Sequence, residues 1–249
     1  MSERVLVLGA TSGIGRALVR ALAAEGAELV LAGRDADALD RIGRDAWVRS
    51  GRAPAVETFD ARDHEGHEAF LDACFARAGG LDGIVVCHGV LVEQARAERD
   101  PAAALAMLDV NVTGTLSLLE GVARRLEAAG SGWIAALSSV AGDRGRRRNY
   151  LYGASKAALS TALEGLRVRL APAGIAVVDV RPGPVDTAMT FGAALPGVAS
   201  PERVARDLLR GVRRRRAVVY TPWPWRFVML VVRWLPAPLV ARLDPPREG

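Results

Sequence analysis

Tyr152 and Lys156 are the two residues of this sequence best placed to move a proton. They lie in Tyr150-Leu151-Tyr152-Gly153-Ala154-Ser155-Lys156, and Lys156 is the single lysine of a chain with 33 Lys+Arg residues. Arginine is a planar, permanently charged fork, whereas lysine is a compact ammonium whose pKa responds to its surroundings. A spacing of i, i+4 puts both side chains on one face of a helix. A positive charge beside a phenol favours the phenolate, so the pair predicts a lowered phenol pKa and a group that can give or take a proton. The plain alternative is an exposed Tyr/Lys pair on an ordinary helix surface. Asn111 is a further candidate, because asparagine is a middling helix former inside a helical pattern. Its carbonyl is expected to hold a water or the lysine. His88 has no partner in the sequence and is read as structural.

Other residues could bind phosphate. Gly9-Ala10-Thr11-Ser12-Gly13-Ile14-Gly15 follows an apolar run at 5–8 and precedes a helical pattern at 16–25. Strand, glycine-rich turn and helix in that order make a cradle whose helix N-terminus faces a pyrophosphate. The next strand, at 28–33, ends in glycine where an acid would hold ribose hydroxyls, and Arg34 follows. Arginine there suits a phosphorylated ribose, so NADP(H) is expected ahead of NAD(H). Asp35 is a competing charge, and a solvated turn is the alternative reading. Asp60, after a third strand at 54–59, could accept from an adenine amino group.

The elements that must position these residues are legible in outline. Further strands are expected at 83–87, 132–137 and 175–181, with a strand-like stretch at 217–220. Helical patterns run at 64–78, 101–128 and about 150–171, the second opened by Asp100 as N-cap and Pro101 at the first position. Unbroken alternation of strand and helix predicts an α/β fold, a doubly wound parallel sheet of about seven strands in a single domain. Ligands of such sheets bind beyond the carboxyl ends of the strands. The glycine loop, Arg34, Asp60, Ser139 and Thr187 all fall at such ends, which favours one site over scattered surface residues. Residues 1–221 read as a dinucleotide-binding domain that includes the substrate loop, and 222–249 as a Trp/Arg-rich apolar extension.

Composition narrows the function classes. Half of the residues are hydrophobic, 24% are charged and 5% aromatic, which fits a globular chain with an aliphatic core. The net charge of +5 and a pI near 10.0 point to an anionic partner, either phosphate or a membrane surface. Nucleic acid is not expected, since no zinc finger, helix-turn-helix or RNA-binding aromatic pattern is present. Cys74 and Cys87 lack metal-ligand spacing, so no metal site is expected and both thiols should be reduced in a cytoplasmic compartment. Met1-Ser2-Glu3-Arg4 runs straight into a strand, so no secretory signal is expected.

Two stretches bear on the substrate. Arg144, Arg146, Arg147 and Arg148 lie between Ser139 and Tyr152. They could bind an anionic group of a substrate, Arg146 to Arg148 above all, or form a solvated loop or subunit contact. Near the C-terminus, Trp223, Trp225 and Trp234 flank Arg226, Arg233 and an apolar run at 227–232. That run is too short to span a bilayer. It suits a helix lying in a membrane interface over 223–243, at the inner face of the membrane, or equally a lid or subunit contact.

The chain resembles the short-chain dehydrogenase/reductases over roughly its first 220 residues. The resemblance rests on Gly9-x3-Gly13-x-Gly15, Asn111, Ser139, Tyr152-x3-Lys156, and Pro182-Gly183 followed by Thr187. It implies a Rossmann-type fold, a nicotinamide cofactor and hydride transfer between that cofactor and a carbonyl or secondary alcohol. Tyr152 would be the acid in reduction and the base in oxidation. Lys156 would tune the phenol and hold the nicotinamide ribose. Ser139 would bond the substrate oxygen, Asn111 would anchor a relay water leading to Lys156, and Thr187 would contact the carboxamide or a phosphate. Cofactor contacts would come from Gly9, Thr11, Ser12, Gly13, Ile14, Gly15, Arg34, Asp60, Tyr152, Lys156, Pro182, Gly183, Val185 and Thr187. Many members carry Asn-Asn-Ala-Gly after the fourth strand, where this chain has Val86-Cys87-His88-Gly89. The arginine loop and tail resemble the decaprenylphosphoryl-2-keto-ribose reductases of cell-envelope polysaccharide pathways, implying a keto sugar on a polyprenyl phosphate. A homo-oligomer is expected. The competing readings are a soluble ketoreductase or alcohol dehydrogenase for a small substrate, and a non-catalytic dinucleotide-binding partner protein.

Overall fold

Val5-Leu6-Val7-Leu8 sends alternate side chains to opposite faces of its strand, and all four are fully buried. A strand covered on both faces belongs in the middle of a parallel sheet. The computed structural model describes residues 2–190 and 197–243, and in it this strand is the third of seven. The strands are β1 (Arg4–Leu8), β2 (Glu28–Gly33), β3 (Ala55–Thr58), β4 (Gly83–Val86), β5 (Trp133–Leu137), β6 (Ala176–Pro182) and β7 (Val218–Thr221). They lie in the order β3-β2-β1-β4-β5-β6-β7, every neighbouring pair parallel. The order reverses between β1 and β4, which opens a crevice at the carboxyl ends of those two strands.

The helices are α1 (Gly13–Ala24), α2 (Ala36–Ser50), α3 (His67–Ala78), α4 (Gln94–Arg99), α5 (Pro101–Leu108), α6 (Thr115–Ala129), α7 (Tyr150–Leu170), α8 (Pro201–Arg213), α9 (Trp225–Trp234) and α10 (Ala237–Leu243). Val5 and Val7 pack with Leu18 and Leu22 of α1, Leu39 of α2 and Leu208 of α8. Leu6 and Leu8 pack with Leu71 of α3, Leu118 and Leu126 of α6 and Leu163 of α7. Each buried leucine contributes about 1.5–3 kcal/mol over an exposed one, so both layers hold the sheet firmly.

Strand positions match the sequence reading to within one residue at each end. The helical stretch expected at 101–128 is interrupted, because residues Asp109–Gly114 form a π-helical turn between α5 and α6. The stretch 101–129 is the one segment, among the described residues, long and apolar enough by length and composition to cross a membrane. Its α6 portion packs on α3 and α7. The basic run at 213–216 begins as the last residue of α8, a helix the sequence reading does not single out. Arg213 pairs with Glu25 there. The tail helix α9 packs against β7 and the turn at 140–143. Residues 244–249 of the expected extension lie outside the described residues.

Candidate active site

The glycine loop is shaped by close backbone approach. Gly9 has φ +81, and a Cβ there would lie 2.5 Å from the backbone nitrogen of His88, so β1 and β4 end in direct contact. Ser12 caps α1 by accepting the Gly15 N–H at 3.0 Å. The N–H groups of Gly13 and Ile14 have no intrahelical acceptor by position, and both residues line the main cavity. The loop therefore fits a pyrophosphate. Thr187 closes it from the far side: its Cγ2 would sit 2.8 Å from a Cβ on Gly13. Val185 is buried behind Thr187 and bridges to Ala199.

Two hollows share this loop. One, of about 200 Å³, is lined by Gly9, Thr11, Gly33, Arg34, Phe59 and Asp60. The other, of about 420 Å³, is lined by Ser139, Arg146, Tyr152, Lys156, Thr187 and Trp225 among others. Ser12, His88 and Gly89 line both, so they form one cleft. Arg34 is exposed in it. Asp35, the competing charge, is committed elsewhere: its Oδ1 accepts the Ala38 N–H at 2.9 Å as the N-cap of α2. Asp60 is exposed and accepts the Arg62 N–H at 3.0 Å.

Ser139 and Tyr152 are brought together by the packing of α7 on the short 3₁₀ turn at Val140–Asp143. Gly153 permits this, since a Cβ there would lie 2.7 Å from the carbonyl oxygen of Ala141. The Ser139 hydroxyl accepts the Ala141 N–H at 3.1 Å, which leaves its proton to donate. Lys156 is buried, its Nζ donating to the Leu137 carbonyl at 2.9 Å and standing 5.8 Å from the Tyr152 ring centroid. Burial pushes the ammonium down to about 8, against the pull of Asp179. The expected lowering of the phenol is corrected by the structure. Burial pushes Tyr152 up to about 12, with a hydrogen bond to Ser139 acting the other way. At neutral pH the phenol carries its proton and can donate it.

Asn111 is held by the loop after β4, and its Oδ1 and the Lys156 Nζ both lie 3.3 Å from where a Cβ on Gly89 would stand. Its Oδ1 accepts the Val90 N–H at 2.8 Å, and its Nδ2 donates to the Val90 carbonyl at 2.8 Å and to Ser155 Oγ at 3.2 Å. The side chain straps the loop after β4 to α7. The π-helical turn carries it there, as such turns often do at functional sites. His88 donates no charge: burial, with Lys156 adding to it, pushes its imidazole down to about 3. Thr115 gives its own proton to the Val110 carbonyl, so His88 Nε2 is the donor in the 2.9 Å contact with Thr115 Oγ1.

The arginine loop divides. Arg146 lines the main cavity, whereas Arg147 and Arg148 are exposed and do not. Arg144 turns to the tail, donating to the carbonyls of Arg233 and Leu235 at the end of α9 at 3.2 and 3.0 Å. Five residues beyond the sequence reading complete the site. Asp179 and Arg181 of β6 pair at 2.7 Å, Arg181 pairs with Asp143 at 2.6 Å, and Tyr220 donates to Asp143 at 3.0 Å. Arg233 also binds Asp143, and Ser138 donates to Asp179. Burial works against the charge of Arg181, but Asp179 and Asp143 outweigh it and hold the guanidinium above its ordinary value. Trp225 lies against Gly183 and walls the cavity. Two charges alternating inside the valine-rich run at 177–181 were the signal that could have flagged Asp179 and Arg181.

Comparison with known proteins agrees with this geometry. The family model for short chain dehydrogenases matches residues 3–194. The chain belongs to that family, and it is an NAD(P)-dependent oxidoreductase. It is 39% identical over 235 residues to an uncharacterized oxidoreductase of Mycobacterium tuberculosis, covering 93% of each protein. It is 40% identical over 242 residues to another uncharacterized oxidoreductase from Streptomyces coelicolor, covering 96% of this chain and 95% of that one. Among solved structures, a short-chain dehydrogenase from Burkholderia cenocepacia in complex with NADP aligns with a TM-score of 0.84 at 26% identity over 98% of both chains. One from Sphingobium yanoikuyae in complex with NADPH aligns at 0.82 and 25% identity, over 99% of this chain and 98% of that one.

Proposed function

We propose that the chain is an NADPH-dependent carbonyl reductase whose substrate joins an anionic group to an apolar body, such as a keto sugar on a polyprenyl phosphate. The observation that carries the reading is the single cleft running from Arg34 to Tyr152 and Arg146. Arg34 would meet the ribose phosphate, with Asp35 held away in its helix cap. The cofactor, when bound, supplies the hydride. Tyr152 would deliver the proton to the carbonyl oxygen while Ser139 holds that oxygen by donating to it. Lys156, anchored on Leu137, would keep a positive charge behind the phenol and offer its remaining protons to a ribose hydroxyl. Arg146 would take the anionic group, and Leu91, Val140, Met189 and Trp225 give the apolar wall. A lipid-linked substrate would be met at a membrane face, on the side of the tail helix.

The test is a nicotinamide-oxidation screen with NADPH and NADH against polyprenyl-phosphate keto sugars, free keto sugars and simple ketones. The reading expects NADPH to be preferred and the lipid-linked compounds to give the highest kcat/KM. Equal rates on small neutral ketones would favour an ordinary ketoreductase, and a preference for NADH would remove the role of Arg34.

A further inference from the structure

Helix α9 carries two apolar stripes. Trp225, Met229 and Val232 turn inward at i, i+4 and i+7, with Met229 fully buried and Trp225 in the cavity wall. Phe227, Leu230, Val231 and Trp234 turn outward at i, i+3, i+4 and i+7, with 57%, 57%, 62% and 83% of their surface exposed. Trp223 just ahead of the helix is 63% exposed and stacks edge-on to Phe227. A surface helix normally turns polar residues outward, and one that is apolar on both sides is normally covered on both. Among the described residues nothing covers the outward stripe.

The charges carried by the described tail segment itself are of one sign. Residues 222–243 contain Arg226, Arg233 and Arg242 and no Asp or Glu. The neighbouring loop adds Arg144, whose guanidinium caps the carbonyls at the end of α9, and the exposed Arg147. The acid that α9 does meet, Asp143, is buried on the inner side. Aromatic and aliphatic side chains rimmed by arginine match the boundary between acyl chains and anionic headgroups.

We propose that the outward face of α9, Trp223 with Phe227, Leu230, Val231 and Trp234, docks the enzyme onto an anionic lipid bilayer. The same helix walls the cavity with its other face, so docking sets the cavity wall against the lipid. The catalytic loop is tied to the docked helix twice, through Arg233 to Asp143 and through Arg144 to the helix end. The proposal deepens the reading of a lipid-linked substrate and rests on it only for why the cavity lies there. It is tested by binding without turnover, so the two can fail separately.

The experiment is flotation of the full-length chain with vesicles of phosphatidylcholine alone and of phosphatidylcholine containing phosphatidylglycerol. Binding is expected to the anionic vesicles, to weaken in high salt, and to fall at least about 10-fold in Leu230→Ser/Trp234→Ser. NADPH affinity of that variant should be unchanged, which reports that it still folds. Quenching of tryptophan fluorescence by brominated lipid acyl chains, reduced in Trp234→Phe, gives a reading that needs no polar substitution. No flotation of the wild-type chain on either vesicle overturns the proposal. So does a wild-type dimer that Leu230→Ser/Trp234→Ser converts to monomer without any lipid binding, because the face would then be covered by a second copy.

Discussion

The two halves of the cleft are built in opposite ways. On the side of β1 to β3, the cradle is backbone, glycine and small side chains, and its two charges, Arg34 and Asp60, stand in solvent. On the side of β5 to β7, ionisable groups are buried: Lys156 on the Leu137 carbonyl, and Asp179, Arg181 and Asp143 in ion pairs, the two carboxylates 1% and 2% exposed at the side chain. The difference teaches where each half is vulnerable. An exposed charge can be removed with little effect on folding. A buried one leaves its partner uncompensated. The first half should lose affinity when mutated, and the second should lose rate or stability.

The largest effect is expected at the reacting end. Tyr152→Phe removes the proton and keeps the ring, so kcat for carbonyl reduction should fall about 10²–10⁴-fold. NADPH affinity, measured by fluorescence titration, should stay within about 3-fold, well under the 1.4 kcal/mol of a decade. Preserved turnover would show that the phenol is not the acid. Arg181→Met comes next. Arg181 does not line the cavity, but its loss strands Asp179 and Asp143, and denaturant unfolding should show a loss of about 3–5 kcal/mol. Arg181→Lys should restore part of this. If Arg34→Ala proved equally destabilising, the contrast between the halves would collapse.

A third effect is on pH dependence. Lys156 is held down to about 8 in the folded chain, below its ordinary value of 10.5. Between those values the unfolded chain keeps a proton that the folded chain has released. Stability contributed through this group therefore rises with pH across the window, by up to about 1.4 kcal/mol per unit. Relative to Lys156→Met, the wild type should gain stability as pH goes from 8 to 10.5, as read by denaturant midpoints. If the ammonium is the working form, kcat/KM for reduction should fall as pH passes about 8. Asp179→Asn, by removing a charge that raises Lys156, should move that limb to lower pH; a limb that stays put would separate the lysine from the profile.

The sequence made the first half of the cleft readable because its chemistry is local. Glycine spacing, the strand before it and the helix after it lie within residues 5–25, and Ser12 and Gly15 act on each other three residues apart. Tyr152 and Lys156 were legible for the same reason, being one helical turn apart. The buried network was not, because Asp143 and Arg181 meet across 38 residues and Asp143 and Arg233 across 90. The phenol's pKa follows the same rule: the lysine is one turn away in sequence, but the burial that pushes the phenol up comes from the whole fold. Asn111 was found as an oddity inside a helix, yet its partner Val90 lies 21 residues back on another loop. In the sequence Trp225 belongs to a tail, and only the packing of α9 onto Gly183 turns it into cavity wall.

The smallest effect separates two neighbours in the first half. Arg34 and Asp35 are adjacent and oppositely charged, and sequence alone leaves them cancelling. In the structure Asp35 holds the N-terminus of α2 while Arg34 lines the hollow. Arg34→Ala should therefore weaken NADPH by about 10–100-fold, the worth of a charge-assisted bond of about 1.5–3 kcal/mol, and NADH by less than about 3-fold. Asp35→Ala should act on the helix: a lost N-cap costs about 1 kcal/mol in unfolding experiments, and Asp35→Ser should recover most of it. The ratio of NADPH to NADH affinity in Asp35→Ala should stay within about 3-fold of wild type, since its carboxylate is already engaged by Ala38. A large swing toward NADPH in that variant would mean that Asp35 opposes the ribose phosphate directly, and that the cap does not neutralise it.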